Sequence, residues 1–98
     1  MKQYRIDIKP TAEADIITRY QKIAEDAPQN ALSWYLKIIE SIEKLDTMAE
    51  RCPIAPEDQE IQKSIRHLII GDYRVLFYVN GDTVEVLHVR HGSMDRKL

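Results

Sequence analysis

The tripeptide Asn80-Gly81-Asp82 constrains the fold most, because it separates two stretches in which apolar and polar side chains alternate. Asn-Gly between such stretches favours a tight β-hairpin, since both residues readily adopt the positive φ angles that a two-residue turn needs. The flanking residues 73–79 and 83–90 are rich in valine, and residues 63–70 repeat the two-residue period. Gly71-Asp72 marks a second turn. The last third of the chain therefore predicts three consecutive antiparallel strands.

The first half of the chain combines one alternating segment with two segments of helical period. Residues 2–9 alternate and predict one strand, which Pro10 ends. Apolar side chains then recur at helical spacing over about 12–26, and Thr11 is the predicted N-cap of that helix. A second apolar stripe, over about 28–47, predicts a second helix. The two helices are expected to form a hairpin.

The segment between the helices and the last three strands, residues 48–60, contains two prolines and four acidic residues and predicts a loop. The element order is therefore β-α-α-β-β-β, within a single domain over residues 1–98. A helical hairpin must bury its apolar stripe against another layer. The predicted fold class is α+β, with the hairpin packed on one face of a small, mostly antiparallel sheet.

Strand alternation also predicts which side chains share a face of the sheet. A turn at Asn80-Gly81 and a turn centred on Gly81-Asp82 both place Tyr73, Val75, Phe77 and Val79 under the helices. The face turned away from the helices, called the outer face below, is then expected to carry a second set: Ile65, His67, Ile69, Arg74, Leu76, Tyr78, Glu85, Leu87, Val89 and His91. Only a one-residue bulge would move part of a strand to the other face. An exposed apolar patch in this second set would indicate a partner site.

Composition narrows the classes of function. The net charge is −2, but residues 61–98 are basic overall and contain all three histidines, so any surface for nucleic acid is expected in that part. A lone Cys52 and the absence of a long apolar run or an apolar leader favour a cytoplasmic protein without a membrane segment. No cofactor is expected. No metal site is expected either, because the histidines and Cys52 lack ligand spacing.

The C-terminal strands resemble those of the ParE/RelE toxin superfamily. The residues that carry the resemblance are Ile65-Arg66-His67-Leu68, the block from Gly71 to Val79, and Val84 to Gly92, with Ala14-Asp15-Ile16, Tyr20, Trp34 and Leu45 on the helices. The likeness covers about residues 3–92. It implies a plasmid-stabilisation toxin of a type II toxin–antitoxin system, with a cognate antitoxin that wraps and neutralises it. It also implies a homodimer or a hetero-oligomer with that antitoxin.

The resemblance implies two kinds of activity. RelE-like relatives cleave messenger RNA on the ribosome, which in this chain would use Arg74 on the phosphate and His67 and His91 as base and acid. ParE-like relatives poison DNA gyrase by binding. The chain has no tyrosine after Tyr78, and Gly92-Ser93-Met94 follows the last histidine, which places the sequence closer to the ParE-like branch.

Three hypotheses follow: a ParE-like binding toxin, a metal-independent RelE-like endoribonuclease, and a family member that binds a partner without being toxic. The expected partner site lies on the outer face. The predicted binding residues are Arg66, Arg74, Leu76, Tyr78, Leu87, Val89, Arg90 and His91. Alternatively, Arg74 forms a surface ion pair with Glu85, and the histidines are solvated or satisfied side chains.

Overall fold

The computed structural model describes residues 3–92, in which two long helices cover one face of a four-stranded sheet. The strands are β1 (Arg5–Ile8), β2 (Arg66–Ile70), β3 (Tyr73–Asn80) and β4 (Thr83–His91). The long helices are α1 (Pro10–Asp26) and α2 (Pro28–Glu43). Three short helical segments follow α2: α3 (Leu45–Met48), a 3-10 turn (Ala49–Arg51) and α4 (Asp58–Ile61). Ser93 and Met94, cited above for the family branch, lie outside the described residues.

The sheet order is β1-β4-β3-β2, so the last three strands form an antiparallel meander and β1 joins β4 in parallel. A parallel pair needs a crossover connection. The α1–α2 hairpin begins that crossover and lies on one face of the sheet. The predicted α+β fold, its β-α-α-β-β-β order and its helical hairpin are confirmed.

The main core lies between the hairpin and the sheet. Phe77, Val84 and Val86 from the strands are fully buried against Ile38 and Ile42 of α2. These side chains alternate along β3 and β4 and recur at helical spacing along α2, as the sequence periods predict. Burying a side chain of this kind contributes about 1.5–3 kcal/mol relative to leaving it exposed. This layer fixes the helices on the sheet.

Several predicted element ends are wrong. Lys9 occupies the N-cap position of α1 and Pro10 the first helical turn, where its missing N–H is harmless. Thr11 lies inside the helix, and its hydroxyl donates to the carbonyl oxygen of Leu87 at 2.6 Å. The second helix ends at Glu43 rather than 47.

The β3–β4 turn is centred on Gly81-Asp82, because Asn80 pairs with Thr83. Gly81 has a φ of +63°, a conformation that favours glycine. The alternative turn at Asn80-Gly81 is therefore wrong. The outer-face neighbours Tyr78 and Glu85 pair directly in this register.

A β-bulge at Leu87 changes the second half of β4. Phe77 pairs with Val86 but Leu76 pairs with His88, so Leu87 is an extra residue. Beyond the bulge the two faces are exchanged. Val89, predicted on the outer face, lies instead in the main core, and the ring of His91 meets that of Tyr73 edge to face, with centroids 5.3 Å apart. The prediction that both residues belong to the outer face is wrong.

The outer face is covered by residues 53–65, called the cover segment below. Its Ala55 and Ile65 pack on Leu76, which is fully buried, with Tyr78 and Leu87 half-buried beside them. The predicted exposed patch is therefore wrong for Leu76, whereas Ile69 is 62% exposed as expected. Of the helices in residues 3–92, none is long and apolar enough to cross a membrane.

Candidate functional site

Arg74 of β3 is the centre of a buried polar cluster on the outer face. In the register of the sheet its neighbours are Ile69 on β2 and Arg90 on β4. His67 lies two residues before Ile69 on β2 and therefore shares this face. The cover segment adds Glu57, which follows Pro56 and is only 3% exposed. Three strands and the cover segment thus bring two arginines, one histidine and one carboxylate together.

The cluster is held by an ion pair with two parallel hydrogen bonds. Arg74 donates from Nη1 to Oε1 of Glu57 at 3.0 Å and from Nη2 to Oε2 at 2.5 Å. Nη1 also lies 3.1 Å from Nδ1 of His67. A guanidinium only donates, so Nδ1 of His67 accepts and the proton of the neutral ring is on Nε2. The Nε of Arg74 is buried without a hydrogen-bond partner among residues 3–92.

Electrostatics keep the Glu57 carboxylate charged. Burial raises its pKa, but the hydrogen bonds from Arg74 and the charges of Arg74 and Arg90 outweigh burial and hold the pKa below its ordinary value. Arg74 and Arg90 are direct neighbours on β3 and β4, and Glu57 places a negative charge close to both. The carboxylate therefore balances the cationic pair on this face.

The structure overturns two expectations for Arg74. Its side chain is 4% exposed rather than solvent-accessible, and its carboxylate partner is Glu57 rather than Glu85. Glu85 instead accepts from Lys9 at 2.9 Å and from Asn80 at 2.8 Å. Hydrogen bonds from Tyr78, Lys9 and Asn80 lower the pKa of Glu85 to about 2.

The three residues expected to act together in a ribonuclease are only partly brought together. His67 touches Arg74, whereas the ring of His91 meets that of Tyr73, its partner across β3 and β4. Arg74 and His91 both line a pocket of about 320 Å³ at the end of these strands. Both terminal nitrogens of Arg74 already bind a carboxylate, so a phosphate would have to displace Glu57. The site holds a guanidinium firmly but does not present it to a substrate.

The other predicted binding residues are also dispersed. Arg66 pairs with Phe77 in the sheet and donates to the carbonyl oxygen of Cys52 at 2.5 Å, which ties β2 to the chain before the cover segment. Arg90 lies close enough to Glu57 to lower the pKa of its carboxyl. Tyr78 donates to Glu85, which raises the pKa of the tyrosine. Within residues 3–92, no group of three histidine, cysteine or acidic side chains could hold a metal ion.

Two residues that organise this region are not predicted by the sequence patterns. Glu57 lies in the segment 48–60, which the sequence predicts as a loop, and arginines on two adjacent strands are the one signal that a carboxylate could lie near. Asp15 of α1 is the other, since its carboxylate accepts from Nδ1 of His88 and from the backbone N–H of Val89, each at 3.0 Å. That N–H lies next to the bulge, which the alternation does not reveal.

Known proteins share this sequence pattern and this fold. The sequence matches the family model described as the ParE toxin of the type II toxin–antitoxin system parDE, over residues 6–96. The fold is similar to a chain of the chromosomal ParDE system from P. aeruginosa, with a TM-score of 0.76 and 21% identity over 91% of this chain and 96% of that one.

A chain of the RelBE2 toxin–antitoxin complex from Mycobacterium tuberculosis is also similar, with a TM-score of 0.63 and 20% identity over 91% of this chain and 98% of that one. The search of curated proteins gave no match. Because the family model matches most of its length, the chain belongs to the ParE toxin family of type II toxin–antitoxin systems.

Proposed function

We propose that this chain arrests growth by binding a protein target such as DNA gyrase, and that a cognate antitoxin neutralises it. The observation that carries the proposal is the closed state of Arg74. Its guanidinium is sealed under the cover segment by Glu57. A toxin that acts by binding does not need this arginine to be free.

Chemistry supports binding over RNA cleavage. Cleavage by the ribose 2′-oxygen needs a base, an acid and a cation around one phosphate, within hydrogen-bond reach of the reacting atoms. Here the register pairs His91 with Tyr73 rather than with Arg74, and Nδ1 of His67 accepts from that arginine. This arrangement does not favour three groups acting on one phosphate, which supports binding over cleavage.

The family itself supports an antitoxin as partner. The matching family is described as the toxin of a two-component system, and the similar solved structures come from the ParDE and RelBE2 systems. Induced expression of the chain alone should therefore arrest growth, and co-expression of the adjacent reading frame should restore it. A chain that leaves growth unchanged at normal expression would contradict the proposal.

His91→Ala separates the two modes of action. Loss of a general acid or base lowers the rate of a catalysed step by about 10²–10⁴-fold, so a ribonuclease would lose its toxicity. A binding toxin should keep most of it, because loss of one side chain that contacts Tyr73 removes only part of a binding surface. The measurement is growth arrest at matched expression, with circular dichroism to verify folding. Complete loss of arrest in a folded His91→Ala protein would favour the ribonuclease.

A further inference from the structure

A groove of about 530 Å³ runs between β2 and the helical segments that follow α2. One wall is the strand from His67 to Ile70, and the other consists of α2, α3 and the 3-10 turn. β2 is an edge strand of the sheet, so one side of its backbone faces away from β3. The groove therefore lies beside backbone N–H and C=O groups of β2 that point away from the sheet.

Part of this edge is already paired, which fixes the direction of its hydrogen-bonding groups. His67 donates its N–H to the carbonyl oxygen of Pro53 at 3.1 Å, and Ala55 donates to the carbonyl oxygen of Ile65 at 2.8 Å. Alternate residues of a strand point their backbone groups to the same side. The N–H and C=O of Ile69 therefore point into the groove. Residues 53–55 form only an isolated bridge with β2, between Ile54 and Arg66, and this pairing does not extend to Ile69.

The groove also exposes apolar side chains. Ile69 is 62% exposed and Met48 is 40% exposed, while Leu45 at the base is buried. An exposed apolar side chain on an open strand edge is a template for pairing with another chain. Proteins usually protect such edges with charged side chains. The charged side chains beside this edge are positive.

Among residues 3–92, three cations line the groove: Lys37 inside α2, Lys44 at its C-cap, and Arg51 on the 3-10 turn. No acidic side chain of the described part of the chain lines it, although the whole chain has a net charge of −2. Lys44 has one carboxylate neighbour, Glu40 at 3.6 Å, but both side chains are largely exposed, so this pair is weak. A second copy of β2 would bring Arg66 and three more cations against the groove. Charge therefore disfavours self-association here.

We propose that this groove binds an extended segment of a partner protein, with acidic side chains alternating with apolar ones. The segment would continue the line of residues 53–55 and pair with the backbone of Ile69. Its apolar side chains would cover Ile69 and Met48, and its carboxylates would reach Lys37, Lys44 and Arg51. Strand addition of this kind obtains affinity from main-chain hydrogen bonds and specificity from the side-chain positions. The proposal concerns the partner's chemistry and does not depend on which target the toxin poisons.

The first test measures binding of fluorescent probes to the purified full chain by anisotropy. The probes are a peptide of about eight residues that alternates valine and glutamate, the same peptide with lysine in place of glutamate, and a short oligouridylate. The glutamate peptide should bind at least about tenfold more tightly than either alternative. No binding of that peptide, or equal binding of the lysine peptide or the oligouridylate, would overturn the proposal.

The second test assigns the binding to the groove. Arg51→Glu and Lys37→Glu should each lower the affinity for the glutamate peptide by about threefold to tenfold. The effect should shrink in high salt. Lys22→Glu, on the exposed side of α1, makes the same change of charge away from the groove and should leave the affinity unchanged. Equal effects of Lys22→Glu and Arg51→Glu would show non-specific attraction and overturn the proposal.

The third test addresses the strand edge itself. Ile69→Pro removes an N–H that points away from β3, a position where a strand tolerates proline. Ile69→Ala keeps that N–H and removes only the apolar side chain. Ile69→Pro should therefore lower the affinity for the glutamate peptide more than Ile69→Ala does. Equal affinities of the two folded variants would exclude backbone pairing at Ile69, and if Ile69→Pro does not fold, the charge variants alone decide.

Discussion

Arg74 shows how position in the fold changes what one residue does. On an open sheet face this arginine would be a mobile cation available to a substrate. Under the cover segment, Glu57 fixes it through two hydrogen bonds and His67 through a third contact. A buried charge with its partner removed is costly, since the remaining ion has neither water nor a counter-ion. Arg74 is therefore an anchor that ties the cover segment to the sheet.

Arg74→Ala should destabilise the protein by about 3–5 kcal/mol, because it leaves the buried Glu57 carboxylate without its hydrogen-bonded counter-ion. The double variant Arg74→Met with Glu57→Leu should lose much less, since it removes both charges and keeps the volume. Urea denaturation followed by tryptophan fluorescence measures the difference. A change within about 0.5 kcal/mol for Arg74→Ala would mean that the ion pair is exposed in solution.

Acid should weaken the same anchor. The folded protein holds the pKa of Glu57 below its ordinary value of 4.5, so the carboxylate contributes stability that is present above that pH and is lost as the pH falls through the folded value. The stability difference between wild type and Glu57→Gln should therefore shrink below about pH 4.5. Glu60→Gln, an exposed change in the same segment, is the control. A difference that stays constant from neutral to acidic pH would contradict the assignment.

At the level of elements, the bulge in β4 and α1 depend on each other. The bulge turns Val89 into the core, and Asp15 of α1 accepts the backbone N–H of that residue. The same carboxylate holds the ring of His88. One side chain thus satisfies a donor next to the irregular part of the strand and fixes the helix over it.

Asp15→Ala should lower the free energy of unfolding by about 1 kcal/mol, because it removes the acceptor of the Val89 N–H at a partly buried position. Glu13→Ala removes a neighbouring, exposed carboxylate and should change stability by less than about 0.5 kcal/mol. Hydrogen exchange at the Val89 amide gives a local readout. Unchanged protection in Asp15→Ala would show that the bulge does not need the carboxylate.

The sequence contains most of the fold because periodicity is local. The alternation along β3 and the helical stripe along α2 predict these two elements. They also predict which side chains of each element are buried, such as Phe77 on β3 and Ile38 on α2. The candidate site depends on two features that periodicity does not encode. One is the bulge at Leu87, which has no glycine to mark it, and the other is the return of Glu57 over the sheet from a proline-containing segment. Both depend on long-range packing.

At the scale of the whole molecule, the two faces of the sheet have different covers. Helices α1 and α2 seal one face with an apolar core, whereas the cover segment seals part of the other through the Glu57–Arg74 ion pair. Several large apolar side chains remain exposed on the hairpin and on β2, including Leu32, Leu36 and Ile69. Such surfaces suit contacts with other proteins better than chemistry on RNA.

Side-by-side assays of DNA gyrase supercoiling and of ribosome-bound messenger RNA cleavage, both with the purified wild-type chain, test the central claim most directly. We predict that the chain inhibits supercoiling in proportion to its concentration and leaves the messenger RNA intact. We expect this because the chain belongs to the ParE toxin family and its Arg74 is sealed by Glu57. Cleaved messenger RNA with supercoiling unaffected would contradict the account.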